Sequence, residues 1–336
     1  MEARALFRAI SVLLSIVALF MLACMLAGIF MGEAEAAIAI FTIPVAAGAF
    51  LFVLSLIVSS KSVELSQRSG YLFVVLSWIA AALLGAIPFY LAGFSLTPAD
   101  AFFESMSGFT TTGSTILTDI EALPRSLLLW RATTHWLGGM GIVVLTVAVF
   151  PLLGISGRTL MEAEAPGPQV DKFTPRLSHT ASILWLIYLG LTVVLMVLLM
   201  FGGMSWFDAV THAFATMATG GFSTRNASVG AFDSAFIQIV ITIFMILAGT
   251  GFTIHWRMLT GKRKEALKDH EWRTYIGIFA VSSILIWITL VRLGPDRLWT
   301  ENLRHACFQV ASILTTTGFA TEDYLLWPAF AQTVLF

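Results

Sequence analysis

The chain consists of long apolar runs separated by short polar segments. A helix needs about 20 predominantly apolar residues to cross a bilayer, and several runs reach that length. An eighth run begins near residue 325 and is interrupted by the end of the sequence at Phe336. The pattern predicts an all-α polytopic membrane protein. The seven complete predicted spans cover residues 8–30, 38–58, 71–93, 127–152, 181–203, 235–256 and 274–293.

Composition excludes an ordinary soluble domain. Hydrophobic residues make up 58% of the chain and charged residues only 12%, whereas about a quarter of a typical soluble protein is charged. Arg4 and Arg8 precede the first run, but that run is longer than the ~7–15 residues of a signal sequence. We therefore interpret it as an uncleaved first helix. Cys24 and Cys307 lie in apolar surroundings and indicate buried free thiols, not a disulfide framework or a metal site.

The charge distribution predicts the orientation. With a cytoplasmic N-terminus, most of the 19 Lys and Arg residues fall on the inner side, in segments 4–8, 61–68, 158–176 and 257–273. This agrees with the positive-inside rule. The basic segment "RMLTGKRKEALK" (257–268) is interpreted as a cytoplasmic loop in contact with membrane lipid, and no nucleic-acid partner is expected.

Three segments that are too short to cross a membrane form an internal repeat. They read "DAFFESMSGFTTTG" (100–113), "DAVTHAFATMATGG" (208–221) and "HACFQVASILTTTG" (305–318), and they align without gaps. Each starts with a polar residue and Ala, continues as a mostly apolar stretch typical of two to three helical turns, and ends in Thr and Gly. The repeated unit is therefore a helix, a half-helix, a loop and a second helix.

The repeat predicts the domain organisation, with truncation inside the third unit. The predicted divisions are an N-terminal transmembrane hairpin (1–69), pore repeat 1 (70–153), a cytoplasmic linker (154–180), pore repeat 2 (181–258), a basic cytoplasmic loop (259–273) and an incomplete pore repeat 3 (274–336).

Single residues around the repeats have simple interpretations. "LGGMGI" (137–142) and "LAGTGF" (247–252) are typical of close helix packing, since no strand precedes them and the G-x-G-x-x-G spacing of a nucleotide loop is not met. Asp100 and Asp208 are predicted to cap the half-helices. For Arg225 the sequence allows two roles, tuning ion entry or contacting solvent. The six histidines show no metal-binding spacing and are predicted to be structural or interfacial.

The Thr/Gly loops indicate a cation site. Non-helical backbone at membrane depth is tolerated only when it is buried in protein or lines a cavity. Glycine allows positive φ, and rings of backbone carbonyls replace the hydration shell of potassium in selectivity filters. The C-terminal end of each half-helix adds partial negative charge. Acidic residues beyond the loops would concentrate cations at the mouth; they are Asp119, Glu121, Asp233, Glu322 and Asp323.

With these repeats, the sequence resembles the Trk/Ktr/HKT superfamily of potassium transporters. The resemblance rests on "TTTGST", "ATGGFST" and "TTTGFAT", on "HWLGGMGIVV" and on "AGTGFTIHW". It implies tandem potassium-channel-like repeats around a pseudo-fourfold pore, of which the fourth repeat and the middle helix of the third are absent here. The implied filter residues are Thr111, Thr112, Gly113, Thr219, Gly220, Gly221, Thr317, Gly318 and Phe319.

The same resemblance implies a function and partners. It implies potassium uptake across the cell inner membrane, by a channel or a symporter, with potassium bound in the filter and no organic cofactor. It also implies a homodimer and a cytoplasmic, TrkA-like nucleotide-binding regulatory subunit. Glycine in all three loops favours potassium over sodium.

Two other classes of function fit the sequence less well. A membrane scaffold for a cytoplasmic regulatory protein would have no reason to keep three oxygen-rich loops at membrane depth. An intramembrane enzyme needs a converging nucleophile and base or a paired acidic site, and the serines and histidines do not recur on one face of a span. The sequence therefore predicts a transporter and not an enzyme.

Overall fold

The computed structural model describes residues 2–58, 67–93, 96–141 and 177–336. Within these residues every regular element is a helix, which confirms the all-α prediction. The chain forms two compact units. The first contains residues 1–117 and 122–189, and the second contains residues 118–121 and 190–336.

The first unit is built on a helical hairpin with further helices beside it. In the hairpin, a Cβ added at Gly48 would lie 2.1 Å from the Ala18 Cβ, so the two long helices approach closely at that glycine. The Ser15 hydroxyl also donates to the Gly48 carbonyl (3.1 Å). The helices are α1 (Glu2–Phe30), α2 (Glu35–Ala39), α3 (Thr42–Ile57), α4 (Gln67–Leu91), α5 (Pro98–Phe109) and α6 (Arg125–Gly139).

Glycine in α6 permits a backbone contact with the half-helix α5. A Cβ added at Gly138 would lie 1.8 Å from the Phe109 carbonyl oxygen, so the prediction of close packing at "LGGMGI" is confirmed at this residue. α6 ends at Gly139. Residues 142–152 of the fourth predicted span, and residues 154–176 of the predicted linker, lie outside the described residues.

The second unit contains two half-helices and the helices around them. The long helix α7 (Leu177–Phe201) passes from the first unit into the second. A buried apolar cluster that includes Ile286, Leu290, Val310 and Trp327 joins the last long helix to the third half-helix and the C-terminal helix. The remaining helices are α8 (Trp206–Met217), α9 (Ala235–Ala248), α10 (Phe252–Leu259), α11 (Arg263–Lys268), α12 (His270–Leu293), α13 (Trp299–Leu314) and α14 (Ala329–Leu335).

Among the described residues, five helices are long and apolar enough to cross a membrane. The prediction of a multi-pass protein is therefore confirmed. The five are Glu2–Phe30, Glu35–Ile57, Arg68–Leu91, Ile183–Phe201 and His270–Leu293.

The predicted span over 235–256 is broken into two helices. α9 and α10 are bent by 99° at the break between Ala248 and Phe252, because Gly249 and Gly251 interrupt the helix. Side chains form hydrogen bonds with the carbonyl groups that the break exposes. The Ile246 carbonyl accepts the Thr250 and Tyr275 hydroxyls (2.8 and 3.2 Å), and the Leu247 carbonyl lies 2.9 Å from His255 Nε2.

The third half-helix is longer than predicted. α13 begins at Trp299 and not near His305. The residues from Trp299 to Arg304 contain neither Gly nor Pro, so the helix can begin before the repeated segment.

We predict that Gly138→Ala destabilises the protein, because the new methyl group would overlap backbone atoms that cannot rotate away. Overpacking of this kind costs about 1–3 kcal/mol, which thermal unfolding in detergent would detect as a lower Tm. Gly277→Ala is the matched control, since a Cβ on that helical glycine meets nothing within 4 Å. Equal melting temperatures for the two variants would contradict the close approach of α5 and α6.

Candidate functional site

The three half-helices α5, α8 and α13 end in the same hydrogen-bond pattern. In the first loop, the Thr112 N–H donates to the Ser107 carbonyl (2.9 Å) and the Thr111 N–H donates to the Gly108 carbonyl (3.1 Å). This pair of bonds is a Schellman motif. The equivalent bonds are Gly220 to Ala215 (2.9 Å) and Thr219 to Thr216 (3.0 Å) in the second loop, and Thr317 to Ser312 (2.9 Å) and Thr316 to Ile313 (3.0 Å) in the third.

Each loop contains two residues with positive φ, separated by one residue. The first of the pair is a threonine, with φ of 53° at Thr111, 52° at Thr219 and 58° at Thr316. The second is a glycine, with φ of 76° at Gly113, 78° at Gly221 and 82° at Gly318. Threonine is uncommon in this region, where a non-glycine residue costs roughly 1–2 kcal/mol. The same two strained positions in three loops show that the gap-free alignment has the correct register.

Hydroxyl groups support the first and third loops from within. The Thr110 hydroxyl donates to the Met106 carbonyl (2.8 Å) and lies 2.9 Å from the Thr112 hydroxyl. The Thr315 hydroxyl repeats both contacts, with the Ala311 carbonyl (2.7 Å) and the Thr317 hydroxyl (2.7 Å).

A serine one turn earlier in each of these half-helices ties the residue after the glycine. The Ser107 hydroxyl donates to the Ser114 carbonyl (2.6 Å), and the Ser312 hydroxyl donates to the Phe319 carbonyl (2.6 Å). The second loop has Ala215 in place of these serines.

The second and third loops lie against each other within the second unit. A Cβ added at Gly221 would lie 1.9 Å from the Thr317 carbonyl oxygen, so both the positive φ and the close contact require glycine there. Beyond the glycines, the Gly230 N–H donates to the Ala320 carbonyl (3.0 Å), and the Ala320 N–H donates to the Ser228 hydroxyl (3.2 Å).

The predicted filter residues occupy these loops, with one position in the third loop that sequence reasoning missed. Thr111, Thr112 and Gly113 correspond in conformation to Thr219, Gly220 and Gly221, and both sets were predicted. In the third loop the corresponding residues are Thr316, Thr317 and Gly318, whereas the prediction began at Thr317 and ended at Phe319. The Phe319 side chain is fully buried and stacks on the His212 ring (5.8 Å between centroids). The gap-free alignment contained the signal for Thr316.

Asp100 completes a capping box with the N-cap residue Thr97, which confirms the prediction for the first half-helix. In the second half-helix, by contrast, Ser205 is the N-cap, and the Asp208 carboxylate accepts the Ser205 hydroxyl (2.8 Å) and not the Ser205 backbone N–H. The Asp100 carboxylate accepts bonds from the Thr97 hydroxyl (2.7 Å) and backbone N–H (2.9 Å), which lower the pKa of Asp100. Burial raises the pKa of Asp208, but hydrogen bonds from Thr224 and Ser205 and the nearby charge of Arg225 outweigh it, so the net shift is downward. The stabilisation from both carboxylates is present above the pKa of an unfolded Asp and is lost as pH falls through the folded pKa.

A buried ion pair holds the outgoing end of the first loop. The Glu104 carboxylate on α5 lies 2.7 Å from Arg131 Nε on α6, and the two side chains are 0% and 2% exposed. Glu104 also accepts the Thr115 hydroxyl (3.0 Å) and the Ile116 N–H (3.3 Å). Sequence reasoning missed this pair, although a charged residue inside an apolar membrane segment is a functional candidate by default.

Side chains in the second unit hold the outgoing ends of the other two loops. The Thr224 hydroxyl donates to Asp208 (2.7 Å), and the equivalent Thr321 hydroxyl lies 2.8 Å from His305 Nδ1. His212 contacts the Ser223 hydroxyl (3.0 Å). Arg225, whose role the sequence left open, lies 3.6 Å from Asp208 and 4.0 Å from Glu121 and is 42% exposed.

Most of the predicted acidic residues beyond the loops have defined partners. The Asn226 side chain accepts the Ile120 N–H (2.8 Å) and donates to Asp119 (3.2 Å), and the Asn226 N–H donates to Glu121 (3.2 Å). Glu322 accepts bonds from Arg297 (2.8 Å) and the Trp327 indole (2.7 Å). These contacts fix carboxylates in the segments that follow the loops.

Comparison with known proteins identifies the family. A family model described as "TrkH: Cation transport protein" matches residues 38–336. The chain belongs to the TrkH family of cation transport proteins. The predicted superfamily resemblance is therefore confirmed, and a transporter family is favoured over an enzyme.

Relatives within the TrkH family are similar along most of this chain. The Trk system potassium uptake protein TrkH of Halomonas elongata is 43% identical over 280 residues, which cover 81% of this chain and 57% of the relative. TrkH of Escherichia coli K12 is 44% identical over 279 residues with the same coverage, and TrkG of that strain is 36% identical over 283 residues. The chain thus spans just over half the length of these curated relatives.

A solved TrkH structure has the same fold. The crystal structure of the potassium transporter TrkH from Vibrio parahaemolyticus matches with a TM-score of 0.83 and 34% identity, covering 100% of this chain and 69% of that one. The match supports the predicted repeat architecture.

We predict that Glu104→Gln lowers stability by about 3–5 kcal/mol, because it removes the carboxylate that compensates the buried Arg131 charge. The double variant Glu104→Gln/Arg131→Met should lose less than the single one. The measurement is thermal or denaturant unfolding in detergent.

Arg257→Met is the matched control for this cycle. It breaks a partly exposed ion pair with Asp269 (3.2 Å), which is worth at most about 1 kcal/mol. A Glu104→Gln variant as stable as this control would contradict a structural role for the buried pair.

Proposed function

We propose that this chain is the pore-forming part of a potassium uptake protein of the cell inner membrane, with its N-terminus in the cytoplasm. The observation that carries the proposal is the shared backbone of the three Thr/Gly loops. The names of the relatives, all Trk system potassium uptake proteins, support potassium as the transported ion. A TrkA-like regulatory subunit and a homodimer belong to the same proposal.

The loop geometry supports cation coordination by backbone oxygens. Residues with positive φ alternate with a residue that lacks it, and such alternation turns successive N–H groups to one side and carbonyl groups to the other. The Schellman bonds already engage two carbonyls at each helix end. We propose that the carbonyls of the following Thr and Gly residues face the ion pathway, where they replace water around potassium.

The end of each half-helix adds to this preference for cations. A helix C-terminus carries a partial charge of about −0.5, and a half-helix directs that end at the loop that follows it. The fixed carboxylates beyond the loops, including Asp119, Glu121 and Glu322, would raise the local cation concentration. An anion or a large organic substrate would find neither feature favourable.

Cation-dependent thermal stability of the detergent-purified chain tests the proposal. A cation that binds only the folded state raises its stability by RT ln(1 + c/Kd), where c is the free cation concentration, so the cation that binds more tightly gives the larger increase at equal concentration. We expect potassium and rubidium to raise the Tm more than sodium or lithium at equal ionic strength. Equal effects of all four cations would favour the scaffold alternative.

We predict that Gly113→Ser and Gly318→Ser weaken discrimination against sodium, by roughly tenfold if about 1.4 kcal/mol is lost. The assay is tracer rubidium and sodium flux into liposomes by this chain extended with the fourth repeat of a TrkH relative. Gly93→Ser is the matched control, because Gly93 has φ of 76° with open space around it, as Gly318 has with φ of 82°. Unchanged selectivity in both loop variants would count against the filter assignment.

A further inference from the structure

The second loop has less internal support than the other two. Ala218 and Gly220 replace the hydroxyl pair that braces the first and third loops, and Ala215 replaces the serine that ties the residue after the glycine. Asp208 and His212 on α8 bind the outgoing segment of this loop through the Thr224 and Ser223 hydroxyls. The loop therefore depends on side chains of its half-helix.

His212 has both ring nitrogens engaged. Nδ1 lies 2.8 Å from the Asp208 carbonyl oxygen, and Nε2 lies 3.0 Å from the Ser223 hydroxyl. Because a carbonyl oxygen only accepts, Nδ1 carries the proton, and Nε2 of the neutral ring accepts the Ser223 hydroxyl. The Ser223 oxygen in turn accepts the Arg225 N–H (3.0 Å). The buried ring thus connects the half-helix to the segment that leaves the second loop.

The faces of the same ring connect the second and third loops. The His212 ring stacks on Phe319, with an interplanar angle of 27°. Phe232 packs edge-on against it, with centroids 5.1 Å apart. Phe319 follows Gly318 directly, so a shift of this ring would move the third loop as well as the second.

Glu104 occupies the equivalent position in the first half-helix. It contacts Thr115, the counterpart of Ser223, at the same distance of 3.0 Å. In the third half-helix the position is Gln309, which faces Ala320 in the alignment and has no hydroxyl partner there. The third loop is tied instead by Ser312 and His305. The same position therefore carries a carboxylate in the first half-helix, an imidazole in the second and an amide in the third.

We propose that His212 is a positioning residue that sets potassium selectivity by holding the second and third loops at a fixed separation. The inference rests on the proposed function. A loop that can close around a smaller ion would discriminate less against sodium, and the second loop, which lacks its own hydroxyls, needs the histidine most. Glu104 holds the first loop in the same manner, with Arg131 behind it.

The test uses two readouts on three variants of the purified chain. His212→Phe keeps an aromatic ring and removes both hydrogen bonds, Ser223→Ala removes the hydroxyl, and Phe319→Leu removes the stack. Thr211→Val is the matched control, because the buried Thr211 on the same half-helix bonds the Phe207 and Asp208 carbonyls of its own helix (3.0 Å each). The readouts are hydrogen–deuterium exchange of the loop amides and the ratio of the sodium midpoint concentration to the potassium midpoint concentration in thermal stabilisation.

We expect the amides of residues 220–225 and 317–320 to exchange faster than in the wild type in all three variants. In Thr211→Val their exchange should match that of the wild type. The sodium-to-potassium midpoint ratio should fall about fivefold in His212→Phe, the equivalent of one neutral hydrogen bond, and His212→Gln should recover part of it. If the wild type is selective, variants with unchanged amide exchange or an unchanged midpoint ratio would overturn the inference. A wild type that does not distinguish the two cations would instead refute the proposed function, while the exchange result would still decide whether His212 holds the loops.

Discussion

The structure depends on how a helix ends inside the membrane. A half-helix that stops at membrane depth leaves its last carbonyl groups without water, and each needs a hydrogen-bond donor or a cation. Here three half-helices solve the problem with the same Schellman turn, and a threonine takes the positive φ that glycine would adopt more easily. Two backbone hydrogen bonds close each turn and offset this strain. The loop that follows then starts from the same geometry in every repeat.

Given that common start, the loops differ in what holds them. The first and third loops contain threonine pairs and a serine tie, and the first also has the Glu104–Arg131 pair behind it. The second loop replaces these groups with Asp208, His212 and their hydroxyl partners. A charged pair, a neutral imidazole and a serine thus perform similar mechanical tasks at related positions. Repeats fused in one chain permit such divergence, because each loop needs to fit only its own neighbours.

The sequence alone predicted the features that repeat. The membrane spans followed from runs of apolar residues, and the half-helices and loops followed from the gap-free alignment of Asp100, Asp208 and His305. It did not predict contacts between residues far apart in the chain, such as Glu104 with Arg131 or His212 with Phe319, since no local pattern encodes them. The break at Gly249 and Gly251 was also missed. Paired glycines serve close packing in one helix and a bend in another, and only the hydrogen-bond partners of the exposed carbonyls decide between them.

The bend and the third loop share contacts. A Cβ added at Gly249 would lie 2.9 Å from Thr315 Cγ2 and 2.8 Å from the Tyr275 hydroxyl. Thr315 is the residue whose hydroxyl pairs with Thr317 inside the loop, and Tyr275 donates to the Ile246 carbonyl exposed by the bend. Glycine is therefore favoured at position 249 because a side chain there would enter the space that Thr315 and Tyr275 occupy. The inner helix of the second repeat and the base of the third loop fit together through these few atoms, so neither can be rearranged without the other.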